Sequence, residues 1–144
     1  EDNTDAGSVA KRKQAWGMLK AVDGVVLPGG FGTRGVEGKI LAARWARESK
    51  VPTLGVCLGF QCMVIEHCRN RLGWGGANSV EFNQGTAHPV VIFMPEVDKK
   101  VMGATMRLGR RKTVLKPFRD GKVSVSSSMY GGVTEVMERH RHRW

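Results

Sequence analysis

Long apolar runs are missing from this chain of 144 residues. None approaches the roughly 20 consecutive apolar residues that a membrane-spanning helix needs, so no membrane role is expected. The opening Glu1-Asp2-Asn3-Thr4-Asp5 is acidic and polar, unlike a secretory signal peptide. Cysteine is scarce: Cys57, Cys62 and Cys68 cannot all pair with one another and form no C-x-x-C. That pattern fits a reducing, cytoplasmic compartment rather than a disulfide scaffold. Acidic residues are also few, 13 Asp and Glu against 23 Lys and Arg, giving a net charge of +10. Such a balance can mark a polyanion binder. The basic residues gather at Lys11 to Lys13, Arg107 to Lys112 and Arg139 to Arg143, however, and no aromatic interleaves with the middle cluster as base stacking requires. The charge reads mostly as solvated surface, and no nucleic-acid partner is expected. There is no Walker A loop, no internal repeat and no linker dividing the chain.

What is present suits one soluble α/β unit. Apolar residues make up 41% of the chain, and a domain of this length buries roughly two-thirds of its unfolded surface. Residues 1–20 read as a polar start followed by a helix. Ala21 to Leu27 is a short apolar run suited to a buried parallel strand, ending at the glycine-rich Pro28-Gly29-Gly30-Phe31-Gly32. Lys39 to Glu48 carries apolar residues at helical spacing. Val51 to Val56 is a strand that runs into a helical segment from Leu58, closed by Gly73. Strand, loop, helix, strand, helix implies parallel pairing with right-handed crossovers. Trp74 to Gly85 reads as loop and His88 to Met94 as a strand with Pro89 at its start or on an edge. Met102 to Leu108 and Thr113 to Leu115 suggest a hairpin around Gly109 to Lys112, while Lys122 to Tyr130 is ambiguous.

The most informative stretch is Gly55 to Gln61, reading GVCLGFQ. Glycines stand two positions before and two after Cys57, the G-x-C-x-G form of a nucleophile elbow. A strand turning abruptly into a helix crowds the corner residue against neighbours two places away, and glycine relieves that crowding. The corner side chain then sits beside the first unpaired N–H groups of the helix. Those groups and the helix dipole favour an anion, so Cys57 is expected to attack as thiolate. The other reading of the same residues is a buried cysteine on a core strand. Sites in open parallel sheets form at the carboxyl ends of strands, here Leu27 into Pro28-Gly29-Gly30 and Val56 into Cys57. An elbow enzyme draws one oxyanion N–H from the residue after the nucleophile, Leu58, and another from a glycine-rich loop, for which Gly30 is the candidate.

PGGFG (28–32), EGK (37–39), GVCLGFQ (55–61), GANSVEF (76–82), MRLG (106–109) and ERHRHRW (138–144) occur in that order. From about Ala21 onward the chain resembles the glutamine amidotransferase domain of the CTP synthase family, a class I (triad) amidotransferase. PGG and G-x-C-x-G are shared across class I; GANSVEF, MRLG and RHRHR point to CTP synthase.

The resemblance implies an open, mostly parallel sheet with helices on both faces, flavodoxin-like and incomplete, residues 1–144 being part of one such domain. It implies that glutamine is hydrolysed through a thioester on Cys57, with ammonia passing to a separate synthetase domain that aminates UTP to CTP. Gly30 and Leu58 would supply the oxyanion N–H groups. Gly30, Phe31, Leu58, Gln61, Glu81 and Arg143 would bind L-glutamine, Arg143 holding the α-carboxylate in a bidentate fork. No cofactor is expected in this chain; the full enzyme would use ATP and Mg2+, with GTP as activator, in a cytoplasmic homotetramer. Gly32 to Gly35 resembles the segment linked to GTP activation.

Departures accompany the matches. Phe60 stands where the family often has methionine, and Trp144 where it has tyrosine or phenylalanine. The family's base and its partner lie in an H-P-E motif beyond the last residue here. His88-Pro89 resembles it, but Val90 occupies the glutamate position, so His88 reads as structural, and His67 as surface or core filler. The chain thus reads as an internal fragment, near-inactive alone. His140 and His142 share one face of a strand without a third ligand, and no metal site is expected. The competing readings are a DJ-1-like or other cysteine hydrolase of the superfamily, and a basic non-enzymatic binding module.

Overall fold

The computed structural model describes residues 5–94 and 107–142. They form two compact units, Glu1–Ile92 and Phe93–Trp144. The first begins with helix α1, Ala6–Leu19, started by the Asp5 carboxylate, which accepts from the Ser8 N–H at 3.0 Å and the Ser8 hydroxyl at 2.7 Å. That is a side-chain N-cap, and it satisfies an N–H the helix cannot pair internally. Strand β1, Val25–Leu27, lies parallel to β2, Thr53–Gly55, with Val25 opposite Thr53 and Leu27 opposite Gly55. Helix α2, Val36–Glu48, makes the crossover between them, as the alternating pattern predicts.

Alternation along β1 decides which face is packed. Val25 and Leu27 are buried against Ala43 and Ala46 of α2, with Leu19, Trp45, Val51 and Met63 around them. Val26 and its β2 neighbour Leu54 point the other way and are 64% and 59% exposed. Helix α2 ends without glycine: Lys50 takes a left-handed φ of 58°, and the Val51 N–H reaches back to the Ala46 carbonyl at 2.8 Å. Helix α3, Leu58–Asn70, packs on α2 and on the β1–β2 pair, burying Leu58, Cys62, Ile65 and Cys68. The Glu66 carboxylate, 2% exposed, is held by the Arg47 guanidinium, whose closest contact is 2.7 Å. Burying a carboxylate without such a partner is strongly destabilising.

Trp74 to Gly85 is not wholly loop. It contains strand β3, Ala77–Ser79, parallel to β4, His88–Val91, with a bulge between Asn78 and Ser79. Pro89 sits near the start of β4, where its missing N–H is tolerated.

In the second unit, β5, Arg107–Val114, pairs antiparallel with β6, Glu135–His142, Arg107 opposite His142 and Val114 opposite Glu135. The expected hairpin around Gly109 to Lys112 is therefore corrected. Those residues lie inside one continuous strand, and Met102 to Met106 fall outside the described residues. Gly109 keeps a φ of 86° within the strand, so the glycine marks an irregularity in the ladder rather than a turn. The ambiguous 122–130 stretch contains helix α4, Val125–Met129, capped by Ser124 accepting from the Ser127 N–H at 3.1 Å. The described residues thus give an α/β fold with two parallel strand pairs and one antiparallel pair.

Candidate active site

Cys57 stands between β2 and α3, and its backbone carries the geometry that the flanking glycines anticipate. Its φ of 52° and ψ of −115° lie outside the regions open to an ordinary L-residue, a conformation that persists only when its surroundings impose it. They do so through the two glycines. A Cβ at Gly55 would come within 2.7 Å of the Phe60 backbone, and one at Gly59 within 2.6 Å of the Leu27 carbonyl carbon. The Gly59 N–H donates to Val56 O at 2.9 Å and the Gln61 N–H to Cys57 O at 3.1 Å, closing the first turn of α3 beneath the thiol. Cys57 is exposed, whereas Cys62 and Cys68 are buried. The alternative of a buried core cysteine at position 57 is excluded.

The glycine-rich loop after β1 meets this corner. A Cβ on Gly29 would lie 3.2 Å from Cys57 Cβ and 3.8 Å from its Sγ. One on Gly30 would lie 3.4 Å from Leu58 Cδ2 and 3.5 Å from Lys39 Nζ. Parallel pairing of β1 and β2 explains the approach: Leu27 faces Gly55, so both chains leave the sheet at the same edge. The Val56 N–H donates to Leu27 O at 2.9 Å, extending the pairing to the residue before the cysteine. Among the described residues the Gly30 and Leu58 N–H groups donate to no acceptor.

The remaining candidates divide by location. Gln61 lies one turn into α3, half-buried, and Phe31 projects from the loop at 88% exposure. Glu81 follows β3, its N–H donating to the hydroxyl of fully buried Ser79 at 3.2 Å. Arg143 and Trp144 lie outside the described residues. His67 is on α3, ten residues from Cys57, about 15 Å along the axis. His88 is in β4, stacked on Trp74 with ring centroids 5.5 Å apart. His67 is exposed on the surface of α3, and His88 is part of a strand. His140 and His142 lie on β6. Two contributors escaped the sequence reading. Gly29, rather than Gly30, is the loop residue against the cysteine, and Lys39 brings an ammonium to Gly30. The motifs PGG and EGK name these residues, but their approach to Cys57 and to Gly30 exists only in the folded chain.

An exposed cysteine strained into a strand-to-helix corner, with a glycine loop against it and parallel strands beneath, defines the α/β proteins built on a cysteine nucleophile elbow. Comparison with known proteins gives the family. The family described as "Glutamine amidotransferase class-I" matches residues 4–144. The chain is 54% identical over 134 residues to CTP synthase 1 of Danio rerio, covering 93% of this chain and 22% of that protein. It is 53% identical over 131 residues to human CTP synthase 1, covering 91% and 22%. Against the CTP synthase of Eremothecium gossypii identity is 50%, covering 100% and 25%. Among solved structures, the glutaminase domain of Trypanosoma brucei CTPS with bound acivicin is similar with a TM-score of 0.78 and 43% identity, over 91% of this chain and 48% of that one. This chain belongs to the class I glutamine amidotransferase family. It spans about a quarter or less of the curated relatives it matches.

Proposed function

We propose that this chain is the glutamine-hydrolysing part of a CTP synthase. Cys57 is the nucleophile: its Sγ attacks the side-chain amide carbonyl of glutamine, and collapse of the tetrahedral adduct expels ammonia and leaves a glutamyl thioester. Water then cleaves the thioester to glutamate and restores the thiol. The negative oxygen of each adduct is received by the N–H groups of Gly30 and Leu58, whose freedom from other acceptors and shared position beside Cys57 support that role. A donor of this kind contributes about 3–4 kcal/mol to the transition state. Gly30, Phe31, Leu58, Gln61 and Glu81 contact the substrate, and Arg143 holds its α-carboxylate.

The ammonia serves ATP-dependent amination of UTP in a synthetase domain, where ATP and Mg2+ act. The similarity of this chain to CTP synthases of two vertebrates and of Eremothecium gossypii, more than its geometry, supports that destination. The reading includes a cytoplasmic homotetramer joined through the synthetase domain.

One observation carries the reading: the strained, exposed Cys57 against Gly29. An electrophilic glutamine analogue is expected to add one equivalent to Cys57, read by peptide mass spectrometry. Cys57→Ser is expected to abolish the adduct, and glutamine, unlike unrelated amides, to protect the thiol saturably. Comparable labelling of Cys62 or Cys68 overturns the assignment.

A further inference from the structure

The glycine loop and the segment carrying Glu81 leave the fold from different elements, yet a glutamine bound at Cys57 needs both in register. One side chain joins them. Arg69, in the last turn of α3, donates from Nε to the Ala77 carbonyl at 2.7 Å and from Nη1 to both Glu37 carboxylate oxygens at 3.1 and 3.0 Å. Glu37 lies in the first turn of α2, two residues beyond Gly35, which closes the glycine-rich loop with a φ of 75°. Ala77 opens β3, and Ala77 and Ser79 are both fully buried. From there the path to Glu81 is short and fixed. Asn78 Oδ1 accepts from the Ser79 N–H at 2.9 Å, and Ser79 Oγ accepts from the Glu81 N–H at 3.2 Å.

We propose that Arg69 is a positioning residue of the glutamine site, its guanidinium tying Glu37 at the end of the glycine loop to Ala77 at the head of the segment that carries Glu81. The inference rests on the glutamine reading above and deepens it. Arginine suits the task because its planar fork serves a carboxylate with one nitrogen and a carbonyl with another, at fixed separation. Lysine's three donors radiate from a single nitrogen and cannot span two partners in a fixed plane. The Glu37 carboxylate is largely exposed, so the pair adds little to stability by itself. Its effect is geometric: it holds the loop that bears Gly30 and Phe31 against a buried strand. Arg69 touches neither Cys57 nor the expected substrate, so losing it should weaken recognition of the amino acid while the thiol keeps its intrinsic reactivity.

Two reagents separate these effects on the full chain: an electrophilic glutamine analogue, which must be recognised, and iodoacetamide, which need not be. Arg69→Gln is expected to lower the labelling efficiency of the analogue at Cys57 about tenfold, the equivalent of one charge-assisted hydrogen bond, through weaker binding rather than slower reaction. The iodoacetamide rate should stay within about twofold, and Arg69→Lys should recover only part of the loss. Glu37→Gln, at an exposed position that does not endanger folding, should lower analogue labelling about threefold by releasing only the loop arm. Parallel loss with both reagents in Glu37→Gln, or analogue labelling unchanged by Glu37→Gln, overturns the inference. If the unaltered chain reacts with iodoacetamide but never with the analogue, the glutamine reading falls and this inference with it. Normal analogue labelling insensitive to either variant removes this inference alone.

Discussion

Gly59 and Leu27 meet backbone to backbone. The last residue of β1 and the second residue of α3 approach so closely that a Cβ on Gly59 would sit 2.6 Å from the Leu27 carbonyl carbon and 2.8 Å from its Cβ. The contact seats α3 directly over the strand ends and so sets the height at which Cys57 is presented. Neither partner can yield by a side-chain rotation, because the obstruction is backbone. Gly59→Ala is therefore expected to destabilise the fold by about 3 kcal/mol or more, the upper range for overpacking, and to lower the melting midpoint by roughly 8 °C. Calorimetry checks it. A midpoint within a degree of the unaltered chain would show that α3 can lift away from β1.

Adjacent glycines of the loop should respond differently to the same substitution. A methyl on Gly29 would press on Cys57 Cβ at 3.2 Å, whereas one on Gly30 meets Leu58 Cδ2 and Lys39 Nζ at ordinary contact distances of 3.4 and 3.5 Å. Neither substitution removes a backbone N–H. Gly29→Ala is expected to slow alkylation of Cys57 by iodoacetamide about tenfold, through displacement of the loop or of the thiol. Gly30→Ala should change it less than about threefold. The two rate constants, measured side by side, decide whether the loop approaches the thiol at position 29.

Burial pushes the Cys62 thiol above its ordinary range, desolvation outweighing the favourable charge of Lys39. In the unfolded chain that thiol ionises near the usual value of about 8.5, so above this pH the unfolded chain releases a proton that the folded chain retains. The stabilisation is complete below that range and is lost as the pH rises toward the folded value. The melting midpoint is expected to fall between about pH 8 and pH 10, and to fall less steeply in Cys62→Ala once its lower starting stability is subtracted. Equal slopes would mean that Cys62 does not contribute. The same burial predicts that Cys62 resists alkylation in the native chain.

Much of this architecture was legible in the residues because local and global signals agreed. The glycines at 55 and 59 announce a corner that no β-carbon could occupy, and the structure places the strain at Cys57 between them. Apolar spacing gave α2 and α3 within a few residues. The basic strand β5 was misread because Gly109 resembles turn punctuation, while its partner β6 lies more than twenty residues downstream. Pairing at that distance depends on tertiary contacts that a local pattern does not encode. Strand β3 was missed for a related reason: three residues of Ala-Asn-Ser carry no strand propensity, and the parallel partner β4 and the packing of α3 create it. Lys39 and Arg69 were legible only as helix-surface cations. Their neighbours, Gly30 in one case and Glu37 with Ala77 in the other, appear only when the chain is folded.

Lys39 supplies the remaining test. Its ammonium lies beside Gly30 at the mouth of the elbow, half-buried, and among the described residues it forms no ion pair. An unneutralised cation there raises the local potential wherever a negative oxygen or an anionic reagent approaches Cys57. Iodoacetate and iodoacetamide differ in charge and little in size, so the ratio of their rates at Cys57 measures that potential. Lys39→Met is expected to lower the iodoacetate rate about threefold relative to iodoacetamide, the Coulomb effect of one unit charge at roughly 10 Å in a well-hydrated cleft. Added salt should shrink the difference, since the Debye length at 0.15 M is about 8 Å. Lys39→Arg should keep the ratio near that of the unaltered chain. A ratio indifferent to both the substitution and ionic strength would mean that the Lys39 charge is not felt at the sulfur, and that its place beside Gly30 serves packing of the aliphatic stem.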